Sequence, residues 1–189
     1  LVAHYGGNLR QVLVYGEATV ALQVCDAMVA PDERGLMTKT GAMFQVTAAF
    51  LELYQGLAAI PLAFGFPNRR AMRLGERLGL YAEVGALCEL RWPALGKWPR
   101  LSSRLSFTQG CEETDRRIMG NLWEAMARDL VDGVVGVRDW QFLQHRYLNH
   151  PERRYSLVLV RRRLTGAPLG LLVLHREEDA LALTDLVAP

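Results

Sequence analysis

The side chains best placed to do chemistry are charged or polar residues set beside glycines or at the ends of apolar runs. Lys39 and Thr40 stand between Gly35 and Gly41, with Arg34 just ahead. A phosphate-binding P-loop needs its lysine directly after the second glycine, so this run is not one. No Gly-x-Gly-x-x-Gly follows a strand-like stretch, which leaves a nicotinamide fold without support, and no Gly-x-Ser-x-Gly offers a hydrolase elbow. Arginines gather at Arg69, Arg70, Arg73 and Arg77, and again at Arg161, Arg162 and Arg163. Such clusters are either a solvated face or a field that attracts a phosphorylated ligand. They carry no recognisable binding motif and no interleaved aromatics, so nucleic acid is not an expected partner. Cys25, Cys88 and Cys111 are widely spaced, and His145 and His150 have no cysteine near them. Neither a metal site nor a disulfide framework is expected, and a reducing cytoplasm fits this cysteine usage.

The elements that would position these groups follow from pattern. The chain has 189 residues, 50% apolar and 22% charged, with a net charge of +2. That is the balance of a globular protein with room for one large or two small domains. No apolar run reaches the ~18 residues of a membrane span, so no membrane partner is expected. The opening residues lack a basic signal-type region, and the chain reads as part of something longer.

Residues 1–5, 9–15 and 18–29 read as three strands, broken by Gly6-Gly7-Asn8 and Gly16-Glu17 and ended at Pro31. Met43, Val46, Phe50 and Leu53 recur at helical spacing and predict a helix over 41–55 whose stripe is core. A buried strand is expected over 57–66. Asn68 then caps a helix with Ala71, Leu74 and Leu78 inward and Gly79 as its stop. Two further strands are expected at 81–84 and 86–92, and an irregular stretch from about 93 to 113. Thr114 is expected to cap a helix carrying Ile118, Leu122, Trp123, Met126 and Leu130, and Asp139 a shorter one ending at Leu148. Strands over 155–164, 169–175 and 180–187 finish the chain. Trp123, Trp140 and Tyr147 read as packing.

Cys25-Asp26-Ala27-Met28-Val29-Ala30-Pro31 closes the opening strands, and Thr184-Asp185-Leu186-Val187-Ala188-Pro189 closes the final ones. Both set an aspartate shortly before Val-Ala-Pro at the end of a three-strand unit, which points to duplication. The expected organisation is a first module over 1–96 lacking its first strand and helices, a connector over 97–113, and the first part of a second module over 114–189. One circularly permuted domain is the alternative, but it leaves three surplus strands.

The order of strand, polar turn with Arg-Gly, helix, strand and Asn-capped helix over residues 1–92 resembles the GNAT acyltransferase superfamily. Pro31-Asp32-Glu33-Arg34-Gly35 looks like the family's turn between its fourth strand and the coenzyme-binding helix. Asn68, Ala71, Leu74 and Gly79-Leu80 look like its helix after the fifth strand. The resemblance implies an α+β fold, with a mixed, mostly antiparallel sheet flanked by helices and strands 4 and 5 splayed around the coenzyme. It implies acetyl-CoA or another acyl-CoA as co-substrate, without metal, and a small-molecule or peptide amine as acceptor. Pairing into a homodimer is left open.

Carried over residue by residue, the resemblance places the pantetheine arm along Ala27, Met28 and Val29, with Met28 and Val29 nearest the thioester. The pyrophosphate falls to Arg34, Gly35, Leu36, Met37, Thr38, Lys39, Thr40 and Gly41, because a helix start offers free N–H groups at a positive dipole end. Asn68 would add a pantetheine contact to its capping role. The family has glycine or alanine where this chain has Met37 and Lys39, so the phosphate cradle takes another path. Asp26 is the candidate general base; a carboxylate bonded to backbone at a strand splay is the other reading. The family's tyrosine acid falls on Gly75, which makes Tyr81 the nearest substitute. An N-acyltransferase is the leading function. A catalytically silent acyl-CoA sensor or scaffold is the alternative, and an aminoacyl transferase using charged tRNA a further one, against which the modest charge argues.

Overall fold

Gly7 lies inside a strand, not in a turn. In the computed structural model, which describes residues 2–33, 38–93, 102–110 and 112–189, a Cβ added at Gly7 would meet Gln23 O at 3.0 Å and Leu22 Cδ1 and Phe50 Cζ at 3.1 Å. The glycine is there because neighbouring chain approaches closely. Gly6-Gly7-Asn8 therefore does not divide two strands, and β1 runs unbroken from Ala3 to Val14 (Ala3–Val14). The hairpin to β2 (Glu17–Val29) turns at Tyr15 and Gly16, both with positive φ (49° and 83°). Those are the dihedrals that match the twist of the flanking strands.

The chain forms two compact units, one of residues 1–11 and 19–93, the other of residues 12–18 and 94–189. In the first, α1 (Ala42–Leu51) widens into a π-helical turn over Glu52–Leu57, closed by Ala58 N donating to Leu53 O at 2.9 Å. Thr47 is the fully buried residue of α1, its hydroxyl donating to Met43 Sδ at 3.5 Å. Leu53, expected on the inward stripe, is 49% exposed. The strand expected over 57–66 contracts to β3 (Leu62–Phe64), because Ala59 turns left-handed (φ 52°) ahead of it and Pro67 has no N–H to give a ladder. Its residues Leu62, Ala63 and Phe64 pair in parallel with Ala21, Leu22 and Gln23.

α2 (Arg69–Leu78) begins at Asn68 as expected and ends at a left-handed Gly79 (φ 73°). The strands expected at 81–84 and 86–92 do not form. A strand needs a neighbour to take its N–H and C=O groups, and no described strand pairs with this segment. Among the described residues, Tyr5, Ala21, Leu22 and Ile60 are the buried apolar residues of this unit.

The second unit contains β4 (Ser103–Thr108) inside the stretch read as connector. It pairs antiparallel with β6 (Tyr155–Arg162), from Ser103↔Arg162 to Thr108↔Leu157. β7 (Pro168–Arg176) and β8 (Leu181–Val187) extend the antiparallel sheet. α3 (Glu113–Asp129) is capped at Glu112, so Thr114 is the second residue of the helix, not its cap. β5 (Val134–Gly136), which the pattern did not predict, pairs antiparallel with Val12, Leu13 and Val14. Asp139 caps α4 (Trp140–Leu143) by accepting from Phe142 N at 2.8 Å, and a π-helical turn continues to Leu148. Met119, Leu122, Trp123, Leu143, Tyr147 and the inward residues of β6, β7 and β8 form the core. The architecture is α+β and mostly antiparallel, with β2–β3 as its parallel pair. Among the described residues, no helix is long and apolar enough to cross a membrane.

Candidate functional site

β2 and β3 share a ladder over only three residues and then part. Gly65 still lies against Val24, where a Cβ on it would stand 3.3 Å from Val24 Cβ. Beyond that point β2 runs on to Val29 while β3 has ended. At the parting lies Asp26, whose φ of 52° is left-handed in the middle of a strand. For an L-residue this costs roughly 1–2 kcal/mol, and aspartate is among the residues that tolerate it best. Asp26, Ala27 and Met28 are exposed, Met28 by 54%, while Val29 is half-buried. The Asp26 carboxylate accepts no hydrogen bond from any described residue, so no backbone amide of the described residues ties it down.

The start of α1 carries free donors. Gly41, buried at the N-cap, has no side chain to cap the helix. Its own N–H donates to Thr38 O at 3.0 Å, so that amide of the expected phosphate grip is already used. The N–H groups of Ala42, Met43 and Phe44 meet no acceptor among the described residues. Three unpaired amides at the positive end of a helix dipole are a site for anionic oxygen. Thr38 and Thr40 join hydroxyls at 2.8 Å, and Gln45 Nε2 donates to Thr40 O at 3.3 Å, which fixes the approach to the helix. Lys39 is exposed beside it. Arg34, Gly35, Leu36 and Met37 lie outside the described residues.

Asn68 Oδ1 accepts from Ala71 N at 2.9 Å. The carbonyl is committed to the cap, and the NH2 group meets no acceptor among the described residues. From the same helix Arg69, Arg70, Arg73 and Arg77 line a shallow hollow of about 370 Å³ with Leu74. No carboxylate of the described residues pairs with these four guanidiniums.

Tyr81 is held from two sides. Its ring lies on buried Gly75, where any side chain would run into it. Its hydroxyl lies 2.8 Å from that of Tyr5. Tyr5 is buried on β1 with its ring edge-on to Phe50 at 5.0 Å, and Phe50 lies against Tyr54 at 4.6 Å. Burial, then the bond to Tyr81, pushes the Tyr5 phenol far above its ordinary value near 10, so Tyr5 is a neutral hydroxyl at any physiological pH. The sequence reading missed Tyr5, because nothing local marks which of the five other tyrosines will meet Tyr81 across 76 positions. No hydrogen bond links Asp26 to Tyr81.

Asp185, the counterpart of Asp26 in the sequence repeat, also sits at an irregularity: Val173 faces Asp185 and Leu174 faces Leu183, so Thr184 is the extra residue of a bulge. Its carboxylate, unlike that of Asp26, is fully committed. It accepts from Arg138 Nε at 2.9 Å, Tyr147 Oη at 2.8 Å and Leu186 N at 2.9 Å. Burial and the bond to Asp185 raise the Tyr147 phenol well above its ordinary range.

No family model and no curated protein sequence matches this chain. Solved structures do resemble it, two of them over its full length as follows. A conserved protein of unknown function from Enterococcus faecalis V583, described as a probable N-acyltransferase, superposes with a TM-score of 0.65 at 11% identity, with 45% of that chain covered. Saccharomyces cerevisiae N-myristoyltransferase with bound myristoyl-CoA superposes with a TM-score of 0.55 at 10% identity, with 48% covered. The chain thus spans about half the length of each. At such identity the likeness establishes architecture, and the architecture of this chain is that of a GNAT-type fold.

Proposed function

We propose that the first unit binds acyl-CoA and transfers its acyl group to an amine. The observation that carries this reading is the parting of β2 from β3 at Asp26, in a unit that also offers the amides of Ala42, Met43 and Phe44, which no described residue accepts from. The pantetheine arm would lie along the exposed end of β2. The α1 amides, Lys39 and the four α2 arginines would meet the phosphates, and the Asn68 NH2 group would meet the pantetheine.

In the reaction the acceptor amine loses a proton to the Asp26 carboxylate, directly or through water, and its nitrogen attacks the thioester carbonyl. A C–N bond forms, and the oxyanion is met by backbone N–H at the exposed strand, an effect worth roughly 3 kcal/mol per donor in other enzymes. The C–S bond then breaks and the thiolate takes a proton from Tyr81. Acetyl is the first acyl group to test. We read the second unit as the opening of a further, tandem module; the bulge at Asp185, placed like the left-handed Asp26, supports that reading.

Isothermal titration of the chain with acetyl-CoA and longer acyl-CoA thioesters tests the binding half: heat at micromolar concentrations is expected, and none from any thioester removes the proposal. Thiol release across a panel of amines tests the chemical half. A second reading, a silent acyl-CoA sensor or scaffold, draws on Gly75, whose site is taken up by packing, and on the Tyr81 hydroxyl being engaged by Tyr5. Binding without thiol release would select it.

A further inference from the structure

The second unit holds an open cavity of about 770 Å³ that the acyl-transfer reading does not use. Its volume is that of a small-molecule site. Apolar wall comes from Phe107, Trp140 and Tyr155, and positive charge from Arg116, Arg153 and Arg154. Among the described residues, no aspartate or glutamate lines it. A solvated surface hollow ordinarily mixes both signs of charge, so aromatic walls with guanidiniums and no carboxylate mark out one kind of ligand.

The walls are set before any ligand arrives. Gly110 is buried with φ 64°, and any side chain on it would strike the Trp140 indole. Arg116 Nε donates to Gly110 O at 2.7 Å, and its guanidinium lies 5.3 Å from the centre of the Trp140 ring. Trp140 is thereby held between a glycine and a cation. Also in the lining, His150 Nδ1 accepts from Glu152 N at 3.2 Å and Arg153 N at 3.0 Å, which leaves the ring proton on Nε2. The His150 ring meets Tyr155 edge-on at 5.6 Å. Arg154 O accepts from His175 Nδ1 at 2.9 Å. The backbone that carries Arg153 and Arg154 is thus pinned, while their guanidiniums have no partner among the described residues.

From this geometry we infer that the second unit binds a small amphipathic anion, an aromatic or short apolar body bearing a carboxylate or phosphate. The ring or chain lies against Trp140 and Tyr155. The head group reaches Arg153 and Arg154, whose planar donor forks match either oxyanion. The site is independent of the acyl-CoA reading, because it belongs wholly to residues of the second unit.

The test titrates the full chain with phenyl phosphate, benzoate and benzylamine by calorimetry, with ligand-observed NMR on the same samples. Saturable binding of one or both anions at a single site, with none for benzylamine, is expected, and the tighter anion names the head group. The double variant Arg153→Gln/Arg154→Gln should weaken that binding by about tenfold or more, and coenzyme A should not displace the anion. The proposal is overturned if benzylamine binds as tightly as the anions, if no anion binds up to about 10 mM, if the double variant keeps full affinity, or if coenzyme A competes.

Discussion

The ring of Tyr81 stands where a side chain on Gly75 would have to be. The position at which the family resemblance looks for a tyrosine on the helix is therefore closed by a tyrosine arriving from beyond the helix. Gly75→Ala puts a methyl group into that ring. Overpacking costs roughly 1–3 kcal/mol, against about 1 kcal/mol gained in helix propensity. A net loss is expected in urea denaturation, and Gly75→Ala/Tyr81→Ala should fall short of the summed single losses. Strict additivity would mean the two residues do not meet.

Alkaline stability should depend on Tyr5. Its folded-state proton affinity is raised by burial and by the Tyr81 bond, so above about pH 10 the unfolded chain sheds this proton before the folded one does. The stabilisation is intact below that pH and declines as pH rises beyond it. Tyr147, raised in the same direction, adds to the slope. Melting temperature across the alkaline range should therefore fall less steeply in Tyr5→Phe than in the parent; equal slopes would contradict the assignment.

Asp26 combines an unusual backbone with a carboxylate that no described residue holds, and two substitutions separate them. Asp26→Gly relieves a left-handed aspartate and should leave stability equal or higher by up to about 1 kcal/mol. Asp26→Asn keeps shape and removes the base, so thiol release with an amine should drop by about 10²–10⁴-fold while acetyl-CoA affinity stays within a few-fold. An Asn variant of unchanged turnover would remove Asp26 from the chemistry.

Asn68 serves the helix with its oxygen and, as proposed, the substrate with its NH2 group. Asn68→Ala should cost about 0.5–2 kcal/mol of stability. Asn68→Ser retains a capping oxygen, so it should recover most of that stability yet still bind acetyl-CoA less tightly than the parent. Full recovery of both in the serine variant would reduce Asn68 to a cap alone.

Asp185→Ala leaves Arg138 and Tyr147 without their acceptor. A loss of about 1–3 kcal/mol is expected in denaturant unfolding, with acetyl-CoA affinity unchanged, since the network lies in the second unit. A loss of coenzyme affinity at constant stability would assign Asp185 to the donor site.

Features encoded within a few residues were readable without coordinates. Asn68 at its cap, Gly79 at its left-handed stop and Asp139 at the head of α4 each depend on one side chain and the next turn of backbone. The helical period around Phe50 and Trp123 and the three closing strands were legible for the same reason. Gly6-Gly7-Asn8 misled because a glycine that admits Leu22 and Phe50 looks, in sequence, like a glycine that turns. The strands expected after residue 80 failed because alternation marks a segment able to pair, and only the fold supplies the partner.

The amino-acid order by itself determined the helix caps and stops, the three closing strands, the aspartate ahead of each Val-Ala-Pro and the resemblance that followed from them. The tertiary structure decided which of those residues are free to act. It left the Asp26 carboxylate open and bound that of Asp185, set Tyr81 on Gly75 and against Tyr5, and gathered Trp140, Tyr155 and the arginines of 153–154 around one cavity. Caps and turns are satisfied by neighbours along the chain, whereas partners for a carboxylate, a phenol or a guanidinium arrive from dozens of residues away. No local rule of spacing encodes which of them will meet.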